Sequence, residues 1–143
     1  MRQAQASQTI EEYIAYNWAV TKYHFSNTQP RDMATGELFM SGNVPYVKFE
    51  ILYSNTGIIT VGRGEDNCVR RSGMLICYIS YLVDMGERVY DDICDSLCNL
   101  FLNKHIASAF GNIRFYTQTQ SPKLNVLHGW RMASSSFLFE YEI

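Results

Sequence analysis

Residues 71–83 of the chain read RSGMLICYISYLV, and this stretch decides the fold. Successive side chains of a β-strand point to opposite faces of a sheet, so its apolar residues divide into two sets. Because both sets are large and apolar, the pattern predicts a central strand whose two faces are both covered. One set is Met74, Ile76 and Tyr78, and the other is Leu75, Cys77, Ile79 and Tyr81.

The segment that follows, residues 86–103, has the period of a helix instead. Apolar residues recur every four positions from Val89 through Ile93 and Leu97 to Phe101, which places them on one side of an α-helix. The segment is therefore predicted to be an amphipathic helix packed on the sheet. Its acidic residues lie opposite the apolar side, so they suit a solvated face better than a metal cluster. They are Asp91, Asp92 and Asp95.

A first helix is predicted near the N-terminus. Ser7 or Thr9 can cap it, and Thr9 with Glu12 fits the capping-box pattern, whose side chains bond backbone N–H groups of the first turn. The helix is expected to end near Tyr23. Its apolar stripe comprises Ile10, Tyr13, Ile14 and Trp18.

Four further segments have the composition of strands, with β-branched or aromatic residues between turn residues. The second is expected to pair back on the first as a hairpin. They span residues 46–53, 57–61, 113–119 and 128–143.

The element order is therefore α-β-β-β-α-β-β. The expected fold class is α+β: an antiparallel or mixed sheet of about five strands with two α-helices packed on it. Residues 1–143 are predicted to form a single domain. Within it, residues 24–45 have no period and are predicted to form a long loop, a kind of segment that often carries function.

Composition limits the function classes. The net charge of −2 is unlike the basic surface that nucleic-acid-binding domains use. The longest apolar stretch, residues 74–83, is far shorter than the roughly 20 residues of a membrane helix, so no membrane partner is expected. The chain combines 14% aromatic with only 18% charged residues. That combination fits either apolar surface covered by a partner or a core rich in aromatic residues.

The cysteines and histidines do not form a recognisable catalytic or metal motif. Cys94 and Cys98 share one helix face, and with His105 they would make half of a metal site; two small buried thiols are the favoured interpretation. The histidines His24, His105 and His128 fall in different segments. We therefore expect no catalytic residue, no metal ligand, no cofactor and no enzymatic activity.

The segment GRGED at residues 62–66 resembles a phosphate loop only in its two glycines. A strand follows it instead of a helix, and Glu65 and Asp66 would repel a phosphate, so a hairpin tip is predicted. Arg70 and Arg71 fit either a solvated strand end or a contact whose arginines pair with a neighbouring subunit's carboxylates. The candidate interface residues are Leu38, Phe39, Met40, Arg63, Glu65, Asp66, Arg70 and Arg71.

Several short motifs resemble those of the tail terminator proteins of long-tailed bacteriophages, and the resemblance extends over residues 7–143. The N-terminal helix precedes them, and an amphipathic helix and closing strands lie among them in the family's order. The loop at 24–45 is long for this family. The motifs are PYVKF at 45–49, GRG at 62–64, RRSG at 70–73, MLICY at 74–78 and GW at 129–130.

This resemblance implies a structural virion protein. Such a protein forms a ring, generally a homohexamer, on the head-proximal end of the tail tube, ends tube polymerisation and provides the attachment surface for the head connector. Its partners would be further copies of itself, the tail tube protein and a connector or neck protein, with genomic DNA passing through the lumen unbound. It would be assembled in the host cytoplasm and reside in the virion tail.

Two alternatives remain beside the terminator. One is another head-tail joining, neck or tail-completion protein of similar size. The other is a small non-viral ligand-binding domain, which would require a deep pocket with converging polar groups.

Overall fold

The computed structural model describes residues 1–26, 28, 44–54, 59–61, 68–126 and 129–142, with the backbone alone at 59–61 and 68–69. Within these ranges the chain forms two α-helices, a short 3₁₀ turn at Val83–Met85 and eight strands. The helices are α1 (Gln3–Asn17) and α2 (Glu87–Phe101). The strands are β1 (Lys22–Phe25), β2 (Tyr46–Tyr53), β3 (Ile59–Val61), β4 (Cys68–Leu82), β5 (His105–Ser108), β6 (Gly111–Gln120), β7 (Leu124–Asn125) and β8 (Trp130–Glu142).

All eight strands join one mixed sheet in the order β1-β2-β4-β8-β6-β5, with β3 paired to β4 and β7 paired to β8. β1 and β2 are parallel, and the other pairs are antiparallel. The expected α+β class, the mixed sheet and the two packed helices are confirmed. The sheet has eight strands instead of about five because β1, β5 and β7, of two to four residues, are too short to show a period.

Both helices pack on the same face of the sheet, called here the inner face. α2 buries Ile93, Leu97 and Phe101, as its four-residue period predicts. The ring of Phe101 lies 5.2 Å from that of Phe115 and 5.4 Å from that of Phe137, measured between centroids. Each such side chain contributes about 1.5–3 kcal/mol on burial, so this aromatic layer is a main source of stability.

α1 begins and ends earlier than predicted, so the expected boundaries near Ser7 or Thr9 and Tyr23 are wrong. The Gln5 side-chain oxygen accepts a hydrogen bond from the Arg2 N–H at 2.8 Å, which places the first turn there. Thr9 is buried inside the helix and donates its hydroxyl proton to the Gln5 carbonyl oxygen at 2.8 Å. It therefore cannot cap the helix.

Two other predictions of local structure need correction. β3 pairs with β4 instead of forming a hairpin with β2, because β4 is long enough to extend past the end of β2. His24 and Phe25, predicted to begin the long loop, belong to β1. Most of the predicted loop, residues 27 and 29–43, lies outside the described residues.

Gly73 in β4 is required by close packing. A side-chain Cβ there would lie 2.4 Å from Cζ of Phe139 and 2.6 Å from the carbonyl oxygen of Leu52. Gly86, which precedes α2, has a φ of 80°, a left-handed conformation that glycine adopts without strain. Neither helix of the described part is long and apolar enough to cross a membrane.

Candidate subunit interface

The face of the sheet opposite the helices is called here the outer face. Leu52, Met74 and Leu138 lie directly opposite one another on it, in β2, β4 and β8. Their exposed fractions are 46%, 38% and 40%, although they are large apolar side chains. These three residues are called the apolar row, and they span three adjacent strands at about 4.8 Å per strand.

The outer face corrects one prediction about β4. Leu75, Cys77 and Ile79 are fully buried beneath the helices, as expected, and β4 is central in the sheet. Among the described residues no element covers Met74 in the same way, although Ser80 and Trp130, toward the other end of the outer face, are buried. A one-sided antiparallel sheet ordinarily alternates apolar and polar residues, so three aligned apolar side chains on the outer face are unusual for a solvated sheet.

Ile76 and Tyr78, both half-buried, continue the outer face of β4 beyond the apolar row, and polar side chains of β2 and β8 lie beside them. Lys48 of β2 places its ammonium nitrogen 4.5 Å from the ring centre of Tyr78, a cation–π contact. In β8, Ser134 and Ser136 are on the outer face, whereas Ser135 is buried on the inner face and accepts a hydrogen bond from the Gln118 amide at 2.6 Å. Because serine side chains are small, they project little from this part of the outer face, and another surface can approach it closely.

A charged depression of about 170 Å³ lies at one end of the outer face. Arg70 Nε lies 3.4 Å from Glu142 Oε1, and the Tyr116 hydroxyl donates to Glu140 Oε2 at 2.8 Å. Arg114 lies opposite Glu140 and completes a set of two cations and two anions. Exposed pairs of this kind contribute little to folding, and their mixed charge is typical of the polar rim of an interface.

The predicted interface residues are only partly within the described ranges. Arg70 and Arg71 are adjacent, so they lie on opposite faces: Arg70 pairs with Glu142, whereas Arg71 is opposite Tyr141 and exposed. They therefore cannot act as one pair on the same sheet face. The other predicted interface residues lie outside the described residues; they are Leu38, Phe39, Met40, Arg63, Glu65 and Asp66.

The three thiols that the structure describes belong to the core or to its edge. Cys77 of β4 and Cys94 of α2 are buried, Cys98 is half-buried, and all three are free. Burial raises the pKa of each thiol, which keeps it protonated and unreactive. His105 is exposed on β5, whereas Cys94 lies on the buried side of α2.

The remaining titratable candidates are dispersed. His24 on β1 has Nδ1 3.0 Å from the Phe25 carbonyl oxygen, and burial lowers its pKa. His105 is on β5, at the other end of the strand order, and His128 is outside the described residues. Across the described ranges, no group of three His, Cys, Asp or Glu side chains could hold a metal ion. The acidic residues of α2 are exposed; they are Asp91, Asp92 and Asp95.

The apolar row was not predicted as a unit from the sequence. Leu52 and Leu138 each lie on the polar side of their own strand, beside Glu50 and Glu140, where one leucine attracts no attention. Only the register of β2, β4 and β8 brings them together with Met74.

Comparison with known proteins identifies the fold but not the family. No protein-family model matches the chain, and no curated protein sequence matches it. One solved structure, named only by a sequence identifier, aligns with a TM-score of 0.70 and 15% identity over 100% of this chain and 97% of the other. At that identity the likeness shows a shared architecture alone, since one fold can serve many functions.

Proposed function

We propose that the chain is a structural virion protein, the terminator of a phage tail. It would form a ring on the head-proximal end of the tail tube, stop tube polymerisation and present a surface to the head connector. The observation that carries this proposal is the exposed apolar row on the outer face. Contiguous apolar surface rimmed by polar residues is typical of sites where proteins contact each other.

A ring requires two different patches on each subunit, because head-to-tail contacts close only when one patch meets the other. The outer face supplies one patch, with its apolar row and the charged depression beside Leu138. The resemblance described above implies six copies, a tail tube partner and a connector partner. A chain of net charge −2 suits a lumen through which DNA passes without being held.

Absence of catalysis is part of the proposal. What supports it is the position of the reactive groups: His24 and His105 lie near opposite edges of the sheet, and the buried thiols have raised pKa values. A nucleophile needs a base within hydrogen-bond reach. Against a ligand-binding role, the charged depression formed by described residues is small, about 170 Å³ beside the roughly 300–1,000 Å³ of typical ligand pockets.

Imaging of phage particles that lack this protein tests the proposal. Negative-stain images should show tubes longer than those of complete particles, because nothing ends their growth. Tails of normal length that are detached from heads would contradict a terminator and favour the head-tail joining protein. Complete, infectious particles would contradict both virion roles.

A further inference from the structure

The segment of residues 121–126, called here the arm, runs beside β8 and exposes two apolar side chains. β7 within it pairs Leu124 with Met132 and Asn125 with Arg131. Leu124 is 61% exposed and Val126 is 45% exposed. Apolar burial therefore contributes little to holding the arm, and a two-residue strand is too short to be stable by itself.

Hydrogen bonds to β8 hold the two ends of the arm: the Ser121 N–H donates to the Ser134 carbonyl oxygen at 2.9 Å, and the Val126 N–H donates to the Trp130 carbonyl oxygen at 2.7 Å. Charged side chains add to these bonds. Glu87, the first residue of α2, forms an ion pair with Lys123 of the arm and accepts a hydrogen bond from Arg131 Nη1 at 2.6 Å. Arg131 also donates from Nε to the Asn125 side-chain oxygen at 3.0 Å. Glu87, Lys123 and Arg131 are called here the Glu87 clasp, and together they tie the arm to both α2 and β8.

Two buried aromatic side chains contact the clasp from the core. The Tyr81 hydroxyl donates to Glu87 Oε2 at 3.3 Å, and Tyr81 itself is fully buried in β4. The ammonium of Lys123 lies 4.5 Å from the ring centre of Tyr90, which is buried on α2. The clasp is thus anchored to two buried side chains of the core, one in β4 and one on α2.

We propose that Glu87 is a positioning residue that holds the arm so that Leu124 and Val126 face a neighbouring subunit. Leu124 is beside Met132 on the outer face, so the arm extends the surface that contains the apolar row. The contact with a neighbour rests on the proposed ring. The clasp itself does not depend on assembly and can be tested in the isolated chain.

Hydrogen exchange of the arm tests the clasp. The Val126 N–H donates to the Trp130 carbonyl oxygen at 2.7 Å and is the reporter. Glu87→Gln should make this proton exchange about tenfold faster while the Ser54 N–H, bonded to the Ser72 carbonyl at 3.0 Å, is unchanged. The control Asp92→Asn removes another exposed α2 carboxylate and should change neither. Unchanged exchange at Val126 in Glu87→Gln would overturn the proposal.

A charge swap separates a specific pair from a general loss of charge. Glu87→Lys and Lys123→Glu should each speed exchange at Val126, and the double variant should recover part of the protection, as coupled residues do. Because Arg131 also contacts Glu87, the same swap is made in an Arg131→Gln background, where no recovery would contradict the pairing of Glu87 with Lys123 as the cause.

Assembly of the same variants separates the two proposals. If the wild-type chain assembles on tubes, Glu87→Gln should assemble less well and Asp92→Asn as well as wild type. Equal assembly with a loosened arm would remove the arm from the contact while the ring stands. If the wild-type chain does not assemble, the ring proposal fails, and the exchange data still decide the clasp.

Discussion

Gly73 is a residue whose identity is determined by close packing. The Phe139 ring and the Leu52 carbonyl fill the space where a side chain would begin. Gly73→Ala should therefore lower the free energy of unfolding by about 1–3 kcal/mol, the usual cost of overpacking. Urea denaturation measures it, with Ser72→Ala, on the outer face, as the control expected within about 0.5 kcal/mol of wild type. A Gly73→Ala variant as stable as the wild-type chain would contradict this packing.

Met74 is the centre of the apolar row and tests the outer face as a contact. Met74→Lys keeps a long side chain and adds a charge at a site already 38% exposed, so the monomer should remain folded. Assembly should be lost, because a desolvated unpaired charge is costly in an interface. Tyr16→Lys is the control, since Tyr16 is 91% exposed on α1, which packs on the inner face, opposite the row. Normal assembly of Met74→Lys would exclude the apolar row from the contact.

The ionisation of the Glu87 carboxyl determines how the arm is expected to respond to acid. The hydrogen bond from Lys123, followed by the charges of Lys123 and Arg131, lowers the pKa of the Glu87 carboxyl below its ordinary value of 4.5. A lowered pKa means that the clasp contributes fully above pH 4.5 and is lost as the pH falls through the lowered pKa. Val126 exchange, corrected for its intrinsic pH dependence, should therefore accelerate below pH 4.5.

The matched variants for this acid response use the two carboxylates that face Lys123, which are Glu87 and Asp91. Glu87→Gln should abolish the acceleration and Asp91→Asn should retain it. The reverse result would assign the response to Asp91 and contradict the clasp.

At the scale of elements, the four-residue period of α2 predicts which of its side chains are buried. Leu97 is fully buried beneath it, whereas Leu102, just past its end, is 37% exposed. Leu97→Ala should lower the free energy of unfolding by about 2–5 kcal/mol through the lost contacts and the cavity. Leu102→Ala, the same chemical change on the surface, should cost far less in the same denaturation experiment. Equal costs for the two would mean that α2 is not packed on the sheet as described.

The long elements were predictable and the short ones were not. β4 and α2 lie within three residues of their predicted limits because each repeats its pattern many times. β5 and β7 offer at most four residues, so no period can be read from them. Thr9 misled the prediction of α1 because a threonine that caps and one that bonds back within a helix look the same in a sequence.

The candidate interface was predictable only in part, because the register of the strands decides which side chains lie opposite one another. The apolar pattern of β4 indicates that both of its faces are to be covered. A sequence cannot say whether the second cover comes from the same chain or from another copy. Arg70 and Arg71 are adjacent in the sequence and were both predicted as interface candidates, whereas in β4 they lie on opposite faces of the sheet.

At the scale of the whole molecule, the central claim is that other subunits cover the outer face. Sedimentation velocity of the purified chain, with and without tail tubes formed by the tube protein encoded nearest to it, tests this most directly. We predict a ring near six times 16.5 kDa, or a monomer that joins the tubes and sediments with them. A chain that remains monomeric and separate from the tubes under both conditions would contradict the account.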